Sequence, residues 1–485
     1  MRKQRKRASK GNGGTRDTVA DYSGTSLVSS RSKSELREEP CPRDRRNAGS
    51  WRWVPDRLDP PPHRPAGAAA MPVPRPPLVP AVAEPRVLEG STLVLPPRIG
   101  GVDNSFLSAE LPRLNNAISE GHLGIADFAE VIGARLSATD LEALVRIGDR
   151  LDPLSTLYVL GGMGAIASSI VRHVRVVTGD NDTSAGLDLI PGLEETLLAF
   201  GRFTNRAPRD NHDTTWALGF PATFTGSDDE IRFGRAVREA NRLLGASEQL
   251  LMPLRTGDIA IVDAVELLEQ ATTHVREYTH IQSDLAVNAF PKSFLEMRKY
   301  LGTYRVGGDA FEGPNATYTG GWTGFELALG LLEDFRSTAR YRTRFMSVED
   351  RLRIEASSSL PTLCEVVAEE LGFAGSDLAR ADPCVLGLRV SAAPVPVRRA
   401  VLAASALAKA TAHMAAAHAG AIRKNLVDPV SAMAEVERAK LGVSPDGGVS
   451  GTPLEHTFQQ RKKRLAHPLI RMLVPTAAEE KEERI

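Results

Sequence analysis

From about Val102 onward the apolar residues recur at i, i+3, i+4 and i+7, while strand-like alternation is short and rare. That spacing puts them on one stripe of a helix, and β-branched residues do not cluster as strands would require. Residues 103–123, IADFAEVIGARL (125–136) and ATDLEALVRIGDRL (138–151) each carry the pattern, with Ser137 or Asp140 suited to cap the third. Further helices are expected over Ile190–Phe203, with Pro191 at its start, and over Ile231–Leu254, Asp258–Thr279, Asp334–Gly372, Val397–Leu426 and Leu454–Leu465. No internal repeat is present, and the fold class is all-α. The uncharged run Leu154–Val171 is interrupted by Gly161, Gly162, Gly164 and several hydroxyl residues, and reads as a buried helix rather than a membrane span.

Before that body lies sequence of another texture. Residues 1–85 begin with MRKQRKR, continue rich in Ser, Gly and Arg, and end in DPPPHRPAGAAAMPVPRPPLVP. Proline removes amide donors and the composition offers little to bury, so a disordered tail is expected. MRKQRKR reads either as a nucleic-acid or targeting patch or as a solvated tail translated from an upstream start, with Met71 the natural one. The first fifty residues hold 13 Lys/Arg and 6 Asp/Glu of the chain's 60 of each, so the remainder has an acidic excess of seven. An acidic body argues against nucleic acid as its main ligand. Cys41, Cys364 and Cys384 stand at no metal-ligand spacing and imply no disulfide framework, so a reducing cytoplasm is expected. No apolar segment follows the basic start or Arg45-Arg46, which argues against a secretory or twin-arginine signal. With 42% apolar residues the chain supports a real core, and 86–485 reads as one helical domain, with room for a smaller helical subdomain at about 103–200.

Chemistry-bearing residues are sparse. Phe294 and Arg298 lie four apart on one helical face, followed by Gly302, Gly307, Gly308 and Gly313 and then TGGWTG (319–324). An arginine beside an aromatic, next to backbone that a flat ligand can approach, suits an aromatic carboxylic acid over a planar cofactor. His418 shares its helical face with Thr411, Met414, Ala415 and Ile422, small or apolar neighbours that let a macrocycle lie close. His413 points about 140° away from it on the same helix. The loop GGVSGTP (447–453) can fold over a ligand and offers the hydroxyls of Ser450 and Thr452. Singly, each has a plainer reading: a tolerated histidine, a surface arginine, an ordinary loop. The signatures G-x-S-x-G, H-E-x-x-H and the P-loop are absent.

In this order, across roughly 103–485, these segments resemble the indoleamine/tryptophan 2,3-dioxygenase superfamily of haem proteins, and most closely the monodechloroaminopyrrolnitrin synthase family. IPGLEETLLAFGRFTNRAPRDN (190–211) adds a family-like stretch to which we assign no chemistry. The resemblance implies a helical haem domain in which His418 ligates haem b iron. It implies Arg298, with Phe294, Trp322, Ser450 and Thr452, on an aromatic amino acid substrate, and Ser169 near the reacting dioxygen. Gly321, Thr323, Gly324 and Gly451 would border the cofactor. The expected activity is oxygenation or oxidative ring rearrangement of tryptophan or an indole derivative in secondary metabolism, with a redox partner to reduce the iron. One departure stands out: the family places two adjacent aromatics before the distal serine, where this chain has Ala165 and Ile166. Either the substrate is bulkier than tryptophan or Trp322 fills the gap. The alternatives are a tryptophan 2,3-dioxygenase-type ring cleaver, which that departure disfavours, and a haem-binding helical protein without turnover.

Overall fold

A computed structural model of the chain describes residues 98–99, 102–179, 186–212, 214, 222–311, 313–314, 319–332, 346, 348–373, 375–435, 438 and 454–472. The expected tail at 1–85 and the loop 447–453 lie outside them. The described residues belong to one compact unit spanning 70–485. They are mostly helical, so the all-α class holds.

The first helices are α1 (Leu111–Ser119), α2 (Ile125–Arg135), α3 (Ala138–Ile147), α4 (Pro153–Thr178) and α5 (Leu193–Thr204). Ser137 caps α3 by accepting from the Asp140 amide, and Asp140 returns the bond, so the two expected caps act as one box. Then come α6 (Asp228–Thr256), α7 (Val265–Asn288), α8 (Pro291–Arg298) and α9 (Gly320–Leu329). α10 (Val348–Ser358), α11 (Leu363–Glu370), α12 (Pro383–Ala392), α13 (Val395–Ile422) and α14 (Leu454–Ala466) follow.

Two boundaries differ from expectation. α7 starts at Val265 rather than Asp258, because Gly257 ends α6 at φ 80° and the chain then makes a short turn over Ile261–Asp263 before it can restart. The helix expected over 334–372 is broken at Pro361, after which Thr362 and Glu365 form a new capping box. Between α8 and α9 the glycine-rich stretch makes a hairpin of Tyr304–Val306 with Asp309–Phe311, turned at Gly307 and Gly308 with both φ positive.

Packing separates two apolar clusters. One gathers α1 to α5 around α4, and the other sets α13 along α7, α7 along α6 and α6 against α9. The first cluster also takes in Phe224 and Met297 to Val306, so residues 103–200 do not close a core by themselves. Pro153–Thr178 and Val395–Ala432 are long and apolar enough to cross a membrane, but 89% and 67% of their apolar windows are buried in the protein, as core helices are.

Candidate functional site

α8 is where the two halves meet. Phe294 packs against the first cluster and also against a smaller one formed by Leu295, Leu426 and Val430, to which Ile422 at the end of α13 belongs. Phe294 and Arg298 therefore face inward from one short helix, as their spacing suggested. Arg298 is 9% exposed, and burial draws its pKa down to about 10, which leaves it a cation at neutral pH.

His418 sits one turn before Ile422 on α13. Its residue surface is half-buried, but Nδ1 is sealed from solvent without a hydrogen-bond partner. Burial, and then the Arg464 cation, push its pKa down to about 4 against the opposing pull of Glu326. The ring is thus neutral across the physiological range. Trp322 of α9 lies 5.2 Å from it between ring centroids, and Tyr278 of α7 meets Trp322 edge-on at 5.7 Å. Arg464 and Glu326, both nearly solvent-free, pair beside this group. His413 is exposed, so one helix presents only one of its two histidines inward. Among the described residues no three His, Cys, Asp or Glu side chains converge on a metal position. A single neutral imidazole with a buried, unsatisfied nitrogen has the donor chemistry that haem iron takes, because the macrocycle supplies the other donors.

The glycines of TGGWTG do different work. The segment is helix, and a Cβ on Gly321 would run into Asn241 and stand 2.9 Å from the Gly245 amide nitrogen of α6; one on Gly324 would strike the Glu248 carboxylate. The close approach they permit is to α6. Thr323, between them in sequence, is fully buried. Glu248 is itself fully buried and paired with Arg353, which extends the contact to α10.

Ser169 lies on α4 in the first cluster, with Oγ donating to the Ala165 carbonyl (3.0 Å) and accepting from Asn115 Nδ2 (3.1 Å). Asn115 also donates to the Phe224 carbonyl (3.0 Å) and meets His173 Nε2 at 3.1 Å. Ala165 and Ile166 are fully buried in this cluster while Trp322 belongs to the other, so Trp322 does not fill the space beside them.

Between α6, α8 and the segments 210–212 and 222–224 a cavity of about 40 Å³ opens, lined among others by Asp210, Glu230, Phe224, Phe233, Met297 and Leu301. The residues expected around a substrate stand just behind its wall. Ser169 reaches Phe224 through Asn115, Phe294 meets Phe233 edge-on at 5.4 Å, and Arg298 follows Met297. Ser450, Gly451 and Thr452 fall outside the described residues.

The stretch to which sequence reasoning assigned no chemistry contributes the most polar wall. After α5 ends at Asn205, itself in the left-handed region at φ 50°, the chain runs through Pro208 to the buried pair Arg209 and Asp210. Arg209 donates to the carbonyls of Gly302 (3.1 Å) and Phe311 (2.8 Å) and lies over the Tyr304 ring at 4.4 Å. Its neighbour Asp210 accepts from Ser168 Oγ at 2.7 Å. The signal available for this was Arg-Asp after a proline, next to GGMG in α4: a Cβ on Gly164 would collide with Asp210 backbone and one on Gly161 with Thr214. No protein-family model matches the chain.

Proposed function

We propose that this chain is a haem b-dependent oxidoreductase that acts with O2 on tryptophan or a bulkier aromatic amino acid derivative, similar to the monodechloroaminopyrrolnitrin synthase family. The observation that carries the reading is His418: a neutral, inward-facing imidazole with a buried and unpartnered Nδ1 against Trp322. Haem, when bound, supplies the oxygen-activating chemistry. The chain's residues supply the rest.

His418 is the residue that would hold the iron, and the buried Glu326–Arg464 pair beside it balances its local charge. Arg298, still cationic in its dry position, would take a substrate carboxylate, since a guanidinium–carboxylate pair is strong and directional when desolvated. Phe294 and Phe233 offer apolar surface beside it and help to exclude water. Ser169 has its hydroxyl proton committed to the Ala165 carbonyl, so it would act by accepting a hydrogen bond or by swinging away from Asn115. Ala165 and Ile166, in place of two aromatics, favour a substrate other than free tryptophan.

The test is the absorption spectrum of the chain expressed with haem precursor, in oxidised, reduced and reduced-plus-CO forms. A Soret band with a histidine-type carbonyl spectrum, lost in His418→Ala and kept in His413→Ala, is the expected result. No Soret band after reconstitution, or an unchanged one in His418→Ala, would overturn the reading.

A further inference from the structure

The acidic excess of the body is unevenly spread. Residues 383–427 and 456–472 hold eleven Lys/Arg and no Asp or Glu at all. They make up α12, α13, all but the first two residues of α14, and the short helical turn Pro468–Arg471. These elements pack on one another. The turn touches α12, α13 and α14, and its Leu469 carbonyl accepts from Ser405 Oγ of α13 at 2.7 Å. A block of eleven cations without one anion is thus a contiguous part of an otherwise acidic body.

Helix geometry settles what α13 presents outward. Val395, Arg399, Leu402 and Lys409 follow one another at steps of four, three and seven, which is a single stripe along the helix, and all four are exposed. Lys462 and Leu465 of α14 and Leu388 of α12 are exposed as well. Four aliphatic side chains, each between 39% and 58% exposed, therefore stand among the cations.

That mixture selects the partner. Nucleic acid takes the cations through its phosphates but makes no use of exposed leucine and valine. A second copy in a two-fold contact would set cations against cations. Protein partners are anchored chiefly by aromatic side chains, and the exposed apolar residues here are all aliphatic. A phospholipid surface uses both kinds at once: its phosphates take the Arg and Lys heads, while aliphatic groups and the stems of the long side chains enter the layer beneath.

We propose that this side of the protein docks on an anionic phospholipid surface, with Arg399, Lys409 and Lys462 on lipid phosphates and Leu388, Val395, Leu402 and Leu465 entering the headgroup layer. The protein rests on the bilayer and does not span it, since the apolar residues of α13 are mostly buried in the core. Docking needs no haem, so its failure leaves the reading of His418 untouched, and the converse also holds.

The experiment is co-sedimentation of the full chain with vesicles of phosphatidylcholine and phosphatidylglycerol in equal parts, against phosphatidylcholine alone. Binding at least tenfold tighter to the mixed vesicles is expected. The basic sequence at residues 1–50 is common to every variant, so the variants decide. Each cation at such a surface is worth about fivefold, so Arg399→Gln, Lys409→Gln and Lys462→Gln combined should weaken binding at least tenfold and flatten its salt dependence. Leu402→Ser with Leu465→Ser should weaken it at least threefold and leave the salt dependence unchanged. All five positions are exposed, so the variants are expected to keep the unmutated melting curve. Equal binding to both vesicle types, or none, would overturn the proposal. Unchanged binding in the triple variant would also do so, by assigning the effect to the N-terminal sequence. No effect of the two leucine substitutions would leave the face as a site for a soluble polyanion and overturn the docking.

Discussion

Gly164→Ala is expected to destabilise the protein although it improves the helix. Gly164 lies inside α4, where alanine is intrinsically better by about 1 kcal/mol. Its added Cβ, however, would stand 2.8 Å from the Arg209 carbonyl carbon and the Asp210 Cα, and closer still to the Asp210 nitrogen. These are backbone atoms, so no rotamer change relieves the clash, and α4 must part from the 209–214 segment by about 1 Å to regain ordinary contact. A shift of that size lengthens the 2.7 Å Ser168–Asp210 bond past hydrogen-bonding range and disturbs the carbonyl bonds of the buried Arg209. Overpacking at about 1–3 kcal/mol and one or two broken buried bonds at about 1–3 kcal/mol each exceed the helix gain. The net loss is about 1–8 kcal/mol, or roughly 1–10 °C in Tm for a domain of this size. Gly133→Ala in α2 is the matched control: nothing lies within 4 Å of its added Cβ, so it should raise Tm slightly. Thermal unfolding followed by circular dichroism compares the two. If Gly164→Ala melts at or above the unmutated protein, the segment does not pack on α4 as described, and the cavity wall built on Asp210 goes with it.

Arg298→Ala should weaken a carboxylate-bearing aromatic substrate at least tenfold while leaving haem content unchanged; equal affinity of the unmutated protein for the acid and its methyl ester would remove Arg298 from that role. His173 is held neutral, with its pKa pushed down to about 3 by burial and then by the Arg172 and Lys299 cations. Because the unfolded chain protonates this ring near pH 6.5 and the folded one does not, its contribution is fully present above pH 6.5 and is lost as pH falls from there towards 3, at up to about 1.4 kcal/mol per pH unit. Urea denaturation of His173→Gln across pH 4 to 7 should show a flatter dependence than the unmutated protein; parallel curves would mean that His173 is not the buried neutral ring described.

Helices were legible where local chemistry decides them. Ser137 and Asp140 cap α3 as read, Pro191 precedes α5, and Phe294 and Arg298 share α8. Glycine was the ambiguous letter. In TGGWTG and in GGMG it marks close approach, but the sequence does not say to what; the partner is α6 in one case and the 209–214 segment in the other. A ligand-cradling glycine and a helix-crossing glycine obey the same steric rule, so only the tertiary neighbour separates them. The polar wall of the cavity was hidden for a related reason. Asp210, Asn115 and Glu230 are ordinary polar letters whose significance arises from burial, and their bonds to Ser168, Ser169 and the Phe224 backbone span 42, 54 and 6 positions.

What joins these pieces is the short helix α8. Leu295 packs towards the end of α13, Met297 towards α4 and the cavity, and Phe294 towards both. Any group that presses on Phe294 from the His418 side is therefore felt at Phe233 and the cavity, because a close-packed wall transmits displacement rather than absorbing it. Lys424, just beyond His418 on the continuing chain, donates to the carbonyls of Ala286, Val287 and Ala289 immediately before α8 and so fixes where that helix starts. The imidazole on α13 and the carboxylates lining the cavity are thus tied to one shared element.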